Sequence, residues 1–127
     1  MVSILINADD APASAGGYSQ AVEVSGTTRR LYISGQIPAT SDGRVPVGFR
    51  EQAALAWKNV KAQLRAADMT VEDLVKLTIF LADRKYALEN RQARAEALGA
   101  CAPAQSVVIA GIFDEAWLLE IEAIAEA

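Results

Sequence analysis

The end of the chain decides the fold through two stretches, PAQSVV at residues 103–108 and LEIEAIA at residues 119–125. In the second stretch Glu120 and Glu122 alternate with apolar side chains, so the glutamates point to one face and Ile121 to the other. This period of two is typical of a strand with one covered face. The two stretches therefore predict the last two strands of a sheet, from Ser106 to Ile112 and from Trp117 to Ile124.

Two helices and a further strand are predicted upstream of these stretches. From Gly48 to Met69 apolar residues recur at steps of three and four, and Thr70 is a natural N-cap for the single turn that follows. Val75 to Leu81 alternates as a strand, and a second helix with a thin apolar face is predicted from about Tyr86 to Leu98. The apolar face of the first helix comprises Phe49, Ala53, Ala56, Trp57, Val60, Leu64 and Ala67.

The first third of the chain predicts a loop and a β-hairpin. Residues 8–17 are rich in Ala, Asp, Pro, Ser and Gly, a composition typical of loops. Tyr18–Val24 and Arg30–Ser34 alternate as strands on either side of a turn at Ser25–Thr28, so we expect them to pair with each other. Gly35, directly after the second strand, allows a bulge or the close approach of another group.

The order of these elements predicts an α+β fold: strands, a long helix, a strand, a helix and two strands. Helices arranged in this way cover one face of a sheet. We expect a mixed sheet with two helices on one face. The whole chain, residues 1–127, is expected to form a single domain, since domains commonly contain roughly 100–150 residues.

Composition limits the class of protein. Apolar residues make up 52% of the chain, which is ample for a core and leads us to expect a buried subunit interface as well. No apolar run approaches the ~20 residues of a membrane helix, and the apolar start Met1–Ile6 is too short for a signal peptide. The single cysteine, Cys101, agrees with a reducing compartment. We therefore expect a cytoplasmic protein with no membrane partner.

Several kinds of site are excluded by the residue types that are missing. The chain has no histidine and one cysteine, which excludes a histidine general base, a Ser-His-Asp triad and a zinc site. No clustered carboxylate spacing points to Mg²⁺ or Ca²⁺, so we expect neither a metal nor a cofactor. The net charge is −4 and basic residues are not clustered, which argues against nucleic acid as a partner.

Five sequence boxes follow one another along the chain: GYSQAV (17–22), LYISGQIP (31–38), NVKAQL (59–64), LVKLTIFL (74–81) and the C-terminal pair that begins at Pro103. Together they resemble the RidA (YjgF) family, whose members hydrolyse reactive imines. The resemblance implies a chorismate-mutase-like fold and a homotrimer with its sheets facing inward and its helices outside. In the deaminases of this family the substrate lies in a cleft between subunits.

The resemblance also implies roles for particular residues. Glu120 falls at the position of the glutamate that positions the attacking water, and a partly buried carboxylate suits acid–base work. Tyr18, Ser34 and Asn90 fall at the positions of residues that shape the pocket, and the backbone carbonyl of Val107 would help to hold the water. Structural interpretations stay open beside these roles: a solvated strand glutamate, a half-buried aromatic, a turn serine and an exposed helix asparagine.

The sequence departs from the deaminases at the residue that binds the substrate carboxylate. Those enzymes have an arginine there, whose guanidinium forks onto a carboxylate. This chain has Gln105, which offers N–H donors and a carbonyl but no charge. Gly17 replaces a proline, and Ala93, Arg94 and Ala97 stand where the family has aromatic residues. The chain thus resembles a branch of the family that lacks the deaminase arginine.

These features predict an imine or enamine hydrolase of the deaminase type whose substrate differs from the usual 2-imino acids. The presence of Glu120 favours this function. The missing arginine favours an alternative, a non-catalytic trimer that binds a small metabolite in the same clefts. An RNA-acting translation inhibitor of the endoribonuclease kind has the least support, because the chain is acidic and has no histidine.

Overall fold

Strands and helices follow one another as an α+β fold, and the computed structural model describes residues 2–127. No helix in this part of the chain is long and apolar enough to cross a membrane. Short 3-10 turns lie at Val71–Asp73 and Arg84–Tyr86. The helices are α1 (Phe49–Ala66) and α2 (Ala87–Leu98), and the strands are β1 (Val2–Ile6), β2 (Ala21–Ser25), β3 (Arg30–Gln36), β4 (Leu74–Leu81), β5 (Ala104–Ile109) and β6 (Leu119–Glu126).

A mixed sheet of four strands in the order β3-β6-β4-β5 forms the centre of the fold. β6 runs antiparallel to β3 and β4, whereas β4 and β5 are parallel. Parallel neighbours need a long crossover connection, and α2 lies in that connection. The prediction of an α+β fold with a mixed sheet and two helices is therefore confirmed.

One face of this sheet is buried beneath α1. In β4 the alternate residues Leu77, Ile79 and Leu81 are fully buried, and Leu119 and Ile121 of β6 lie on the same face. Burying an aliphatic side chain of this size contributes roughly 1.5–3 kcal/mol, so this layer holds α1 firmly on the sheet. The residues that α1 contributes to the layer are Phe49, Ala53, Ala56, Trp57, Val60 and Leu64.

The buried stripe of α2 is largely polar. It consists of Asn90, Arg94 and Leu98, which are four residues apart and so lie above one another on the same helix face. Burying an amide and a guanidinium costs free energy unless their polar atoms find partners. Core packing alone therefore does not explain why Asn90 and Arg94 are found on this stripe.

The predicted first helix is confirmed, and its end is set by the backbone. α1 stops at Ala66, three residues before the predicted Met69, because Asp68 adopts a left-handed conformation with φ of 56°. The Thr70 hydroxyl accepts a hydrogen bond from the backbone N–H of Glu72 at 3.3 Å, and the Asp73 carboxylate accepts one from that of Thr70 at 2.9 Å. Thr70 thus caps the following turn as predicted.

The predicted hairpin between the second and third strands is wrong. β2 pairs antiparallel with β1, with Leu5 opposite Val22. β3 pairs with β6, because the backbone N–H groups of Thr28 and Arg29 donate to the carbonyl of Ala127 at 3.0 and 2.9 Å. The turn after β2 therefore directs the chain away from β2 and toward the edge of the central sheet.

The other face of the central sheet, opposite α1, is only partly buried within residues 2–127. β6 presents Glu120, Glu122 and Ile124 there, opposite Phe80, Thr78 and Lys76 of β4. These side chains are half-buried or exposed, as is β5 at Val108, which is 40% exposed. We refer to this surface as the open face.

Candidate functional site

A cavity of about 360 Å³ lies at the β5 edge of the central sheet, beneath the buried stripe of α2. Four of the residues predicted to bind substrate line it: Tyr18, Asn90, Gln105 and Val107. The structure thus brings these four together, although they come from three separate parts of the chain. Arg94, which was not predicted as a site residue, lines the same cavity.

Tyr18 reaches the cavity because its neighbour Ser19 is fixed to the start of β5. The Ser19 backbone N–H donates to the carbonyl of Pro103 at 3.2 Å, and its hydroxyl donates to the carbonyl of Ala102 at 2.7 Å. Ser19 is 2% exposed and pairs in parallel with Ala104. This bridge holds Tyr18 at the cavity that Gln105 also lines, and the Tyr18 hydroxyl accepts a hydrogen bond from the backbone N–H of Ala15 at 3.2 Å.

Two amide oxygens in the cavity have no hydrogen-bond partner in the described part of the chain, residues 2–127. Asn90 is 3% exposed, and its Oδ1 is buried and unpaired, as is Oε1 of Gln105. An unpaired buried acceptor costs about 1–3 kcal/mol. Such a cost is retained in native proteins where the group has another task, and ligand recognition is the task a cavity suggests.

Arg94 brings a positive charge into the cavity. Its side chain is buried, one Nη donates to the carbonyl of Gly16 at 3.1 Å, and Cζ lies 6.0 Å from the centre of the Tyr18 ring. Burial lowers the pKa of the Arg94 guanidinium, the charge on Arg91 lowers it further, and Tyr18 opposes both effects. Arginine starts so far above neutrality that the guanidinium keeps its charge at neutral pH.

Glu120 and Ser34 lie apart from this cavity, on the open face. Ser34 is exposed, and the register of β3 against β6 shifts between Ile33 and Gln36, which forms the irregularity that Gly35 was predicted to allow. A Cβ on Gly35 would lie 2.6 Å from Cδ of Glu120. The carboxylate of Glu120 thus packs directly on the backbone of the residue after Ser34.

The strand register places the two groups on opposite faces of one sheet. Gln105 lies opposite Leu77 and Val107 opposite Ile79, both of which belong to the face that α1 covers. Glu120 lies opposite Phe80, on the open face. Because residues in register project to the same side of a sheet, no single chain brings Glu120 together with Gln105.

A larger groove, of about 490 Å³, lies between the outer surfaces of α1 and α2. It is lined by basic side chains of α1 and by glutamates of α2, and it contains none of the predicted site residues. In residues 2–127 no group of three or more His, Cys, Asp or Glu side chains is placed to hold a metal ion. The cavity beneath α2 and the Glu120 position together make the candidate site.

The Arg94 position was missed by the comparison of motifs, because Arg94 has no counterpart among the residues that the resemblance assigns to the site. A signal was present in the sequence nevertheless. Arg94 follows Asn90 by four residues and precedes Leu98 by four, so the pattern places it on the inward stripe of a helix whose apolar face is thin.

Comparison with known proteins identifies relatives of the chain. A RutC family protein of Aquifex aeolicus is 44% identical over 81 residues, which are 63% of this chain and 62% of that protein. TdcF of Escherichia coli, which its name assigns provisionally as a reactive intermediate deaminase, is 36% identical over 80 residues, 62% of this chain and 60% of TdcF. The matched stretches therefore span about three fifths of these two relatives.

Solved structures agree over the full length. YyfB of Yersinia pestis, a protein of unknown function in the Rid family, superimposes with a TM-score of 0.87 at 28% identity and covers 100% of both chains. The crystal structure of Escherichia coli TdcF with bound serine gives a TM-score of 0.72 at 32% identity and covers 98% of both chains. Residues 8–127 match the family model described as Endoribonuclease L-PSP. The chain therefore belongs to the RidA (YjgF) family, which that model describes.

Proposed function

We propose that the protein hydrolyses the C–N bond of a small reactive imine or enamine, in clefts formed between the subunits of a homotrimer. The observation that carries this proposal is the separation of Glu120 and Ser34 from the cavity of Tyr18, Asn90, Gln105 and Val107. The Glu120 position and the cavity can each be reached by a neighbouring molecule. A second copy of the chain could therefore bring Glu120 of one subunit to the cavity of another. The open face of the sheet supplies the surface on which copies would meet.

The chemistry follows from the groups on either side of such a cleft. Glu120 accepts a proton from a water molecule as the water oxygen bonds to the imine carbon, and this proton passes to the imine nitrogen. In the resulting carbinolamine the hydroxyl proton is transferred through Glu120 to the amine as the C–N bond breaks, which releases ammonia and leaves a carbonyl compound. Tyr18, Asn90 and Gln105 hold the substrate, and the close packing of Glu120 on Gly35 fixes its carboxylate for the attack.

The substrate preference is expected to differ from that of the arginine-bearing deaminases. Gln105 presents an uncharged amide where they present a guanidinium, and a neutral hydrogen bond to a carboxylate is weaker than a charge-assisted one by on the order of 1–2 kcal/mol. A small 2-imino acid such as 2-iminopropanoate should therefore be turned over slowly.

Ammonia release from a panel of freshly generated imines and enamines tests the proposed activity. Glu120→Gln should abolish release, whereas Glu115→Gln should leave it unchanged, because Glu115 is an exposed residue outside the open face and outside the cavity. Equal rates for the two variants, or no release from any member of the panel, would overturn the proposal.

A second candidate function is binding of a small amino-acid-like metabolite without turnover. It is favoured by the unpaired amide oxygens of Asn90 and Gln105, and by the serine bound in the structure of the relative TdcF. Saturable binding of an imine or amino acid with no ammonia release would support it. RNA cleavage has little support, because the chain has no histidine and carries a net charge of −4.

A further inference from the structure

Three departures from the family motifs meet at one point of the structure. Gly17 stands where the family has proline, Arg94 where it has aromatic residues, and Gln105 where the deaminases have arginine. In the sequence these positions are far apart. In the fold, Arg94 and Gln105 line one cavity, and Gly17 packs against the Arg94 guanidinium.

Gly17 makes room for Arg94. Its φ is +76°, and a Cβ built on it would lie 2.5 Å from an Nη of Arg94. Proline has φ fixed near −65° and could not adopt this backbone conformation. The turn exposes the neighbouring carbonyl of Gly16, which accepts a hydrogen bond from Arg94 at 3.1 Å. The replacement of proline by glycine is therefore coupled to the placement of the guanidinium.

The guanidinium of Arg94 has donors to spare. Its Nε is buried and has no hydrogen-bond partner among residues 2–127, and neither ion pair in that range involves it. A buried charge without a counter-ion is costly. The guanidinium is nevertheless held in place by the carbonyl of Gly16 and by the Tyr18 ring. A cation fixed in this way is suited to bind an anionic ligand.

The remaining polar groups of the cavity are complementary to Arg94. Within the described residues, Oδ1 of Asn90 and Oε1 of Gln105 are acceptors that lack donors, whereas Nε of Arg94 is a donor that lacks an acceptor. A ligand that satisfies all three carries an acceptor oxygen together with an N–H group, and the uncompensated charge of Arg94 favours an anionic oxygen. The sequence alone predicts an imine, an enamine or another small metabolite, and these polar groups restrict the ligand further.

We propose that Arg94 is the anion anchor of this pocket: it binds the carboxylate of a small N–H-bearing ligand from the side of α2, in place of an arginine at position 105. The proposal rests on the proposed site and names its recognition chemistry. A carboxylate held by Arg94 lies on the α2 side of the cavity, so the ligand sits differently relative to Glu120 than it would if an arginine at position 105 held it. Arg94 is thus a specificity-determining residue.

Binding of N-acetylglycine and of its neutral amide N-acetylglycinamide, both of which carry an N–H group, tests the anchor when it is measured by calorimetry at low salt. The wild-type protein should bind the carboxylate about tenfold more tightly than the amide, because only the carboxylate forms a charge-assisted bond. Arg94→Gln should remove this preference, and Arg94→Lys should retain part of it. Arg50→Gln, which changes an exposed arginine of α1 outside the cavity, should leave it intact.

A measurement on the wild-type chain keeps the test informative if Arg94→Gln does not fold. In a protein labelled with ¹⁵N arginine, the Nε–H resonance assigned to Arg94 through Arg94→Lys should shift saturably with N-acetylglycine and stay in place with the amide. A preference for the carboxylate that persists in folded Arg94→Gln would overturn the proposal, as would an unmoved Arg94 resonance.

The proposed carboxylate binding by Arg94 and the proposed imine hydrolysis can be disproved independently of each other. Carboxylate binding that depends on Arg94, without ammonia release from any imine, would leave the anchor standing and remove the enzymatic function. Imine hydrolysis that depends on Glu120 but is unaffected in Arg94→Gln would support the enzymatic function and overturn the role of Arg94 as the anchor.

Discussion

Residue 105 contributes a neutral amide to a cavity that already contains the guanidinium of Arg94. Gln105→Arg should tighten the binding of 2-oxobutanoate about tenfold, since a second charge-assisted bond becomes available. It should also lower the melting temperature without ligand, because two guanidinium groups then repel each other. Calorimetry and thermal unfolding measure the two effects. Gln63→Arg, on the exposed side of α1, controls for the added charge, and unchanged affinity would contradict the expectation.

Gly35 determines where the carboxylate of Glu120 lies. Gly35→Ala would place a Cβ 2.6 Å from Cδ of Glu120 and so displace the carboxylate. A displacement of about 1 Å in a catalytic group can cost about a hundredfold in rate, so kcat for imine hydrolysis should fall by that order while carboxylate binding stays unchanged. Gly111→Ala is the matched control, since a Cβ there meets nothing within 4 Å. Undiminished kcat in Gly35→Ala would argue against Glu120 as the base.

For single residues, sequence motifs predict the members of the cavity that have counterparts in the family and miss the one that does not. Tyr18, Asn90, Gln105 and Val107 were placed together by resemblance, and they share one cavity. The motifs register Arg94 only as the absence of an aromatic residue. The role proposed for Arg94 rests on its contact with the turn at Gly16, between residues 78 positions apart, which no local pattern contains.

Among the elements, α1 is tied to the segment before β6 by one buried side chain. Gln52 is 1% exposed; its Nε2 donates to the carbonyls of Pro46 and Ala116 at 2.7 and 2.9 Å, and its Oε1 accepts from the N–H of Leu118 at 2.8 Å. These bonds fix the chain as it enters the strand that carries Glu120.

Replacing this amide should therefore be costly. Gln52→Leu leaves two carbonyls and one N–H without partners, and we expect the free energy of unfolding to fall by about 3 kcal/mol. Urea denaturation at a fixed protein concentration measures the loss. Gln63→Leu, on the exposed side of the same helix, should change stability by less than about 0.5 kcal/mol. A comparable loss in both variants would show that the contribution of Gln52 is not its hydrogen bonds.

Helices were predicted well because their pattern is local, whereas strand partners were not. The apolar steps of α1 and the cap at Thr70 lie within a few residues of each other and could be read directly. The hairpin pattern of β2 and β3 is also local, but neither strand pairs with the other: β2 pairs with β1, and β3 pairs with β6. The bonds from Thr28 and Arg29 to the carbonyl of Ala127, at the other end of the chain, belong to this second pairing, and no local pattern contains them.

For the whole molecule, the open face predicts assembly. Light scattering at micromolar concentration should give a mass near three times the 13.5 kDa subunit. Val108→Glu puts a charge on the open face and should shift the mass toward one subunit, because a buried charge without a partner is costly. Val47→Glu, at a residue 96% exposed and outside the sheet, should leave the mass unchanged. A wild-type mass near one subunit would rule out the trimer.

Glu120 lies on the open face of the sheet, whereas Asn90 projects from α2 into the cavity on the other side. This separation makes it possible for two inactive variants to complement each other in a mixed trimer. If each cleft takes Glu120 from one subunit and Asn90 from its neighbour, two inactive proteins can rescue each other. Trimers formed from equal amounts of Glu120→Gln and Asn90→Leu subunits would regain about a quarter of the wild-type clefts, because the intact residues meet at random around the ring. If both residues served the same cleft from one chain, mixing would restore nothing.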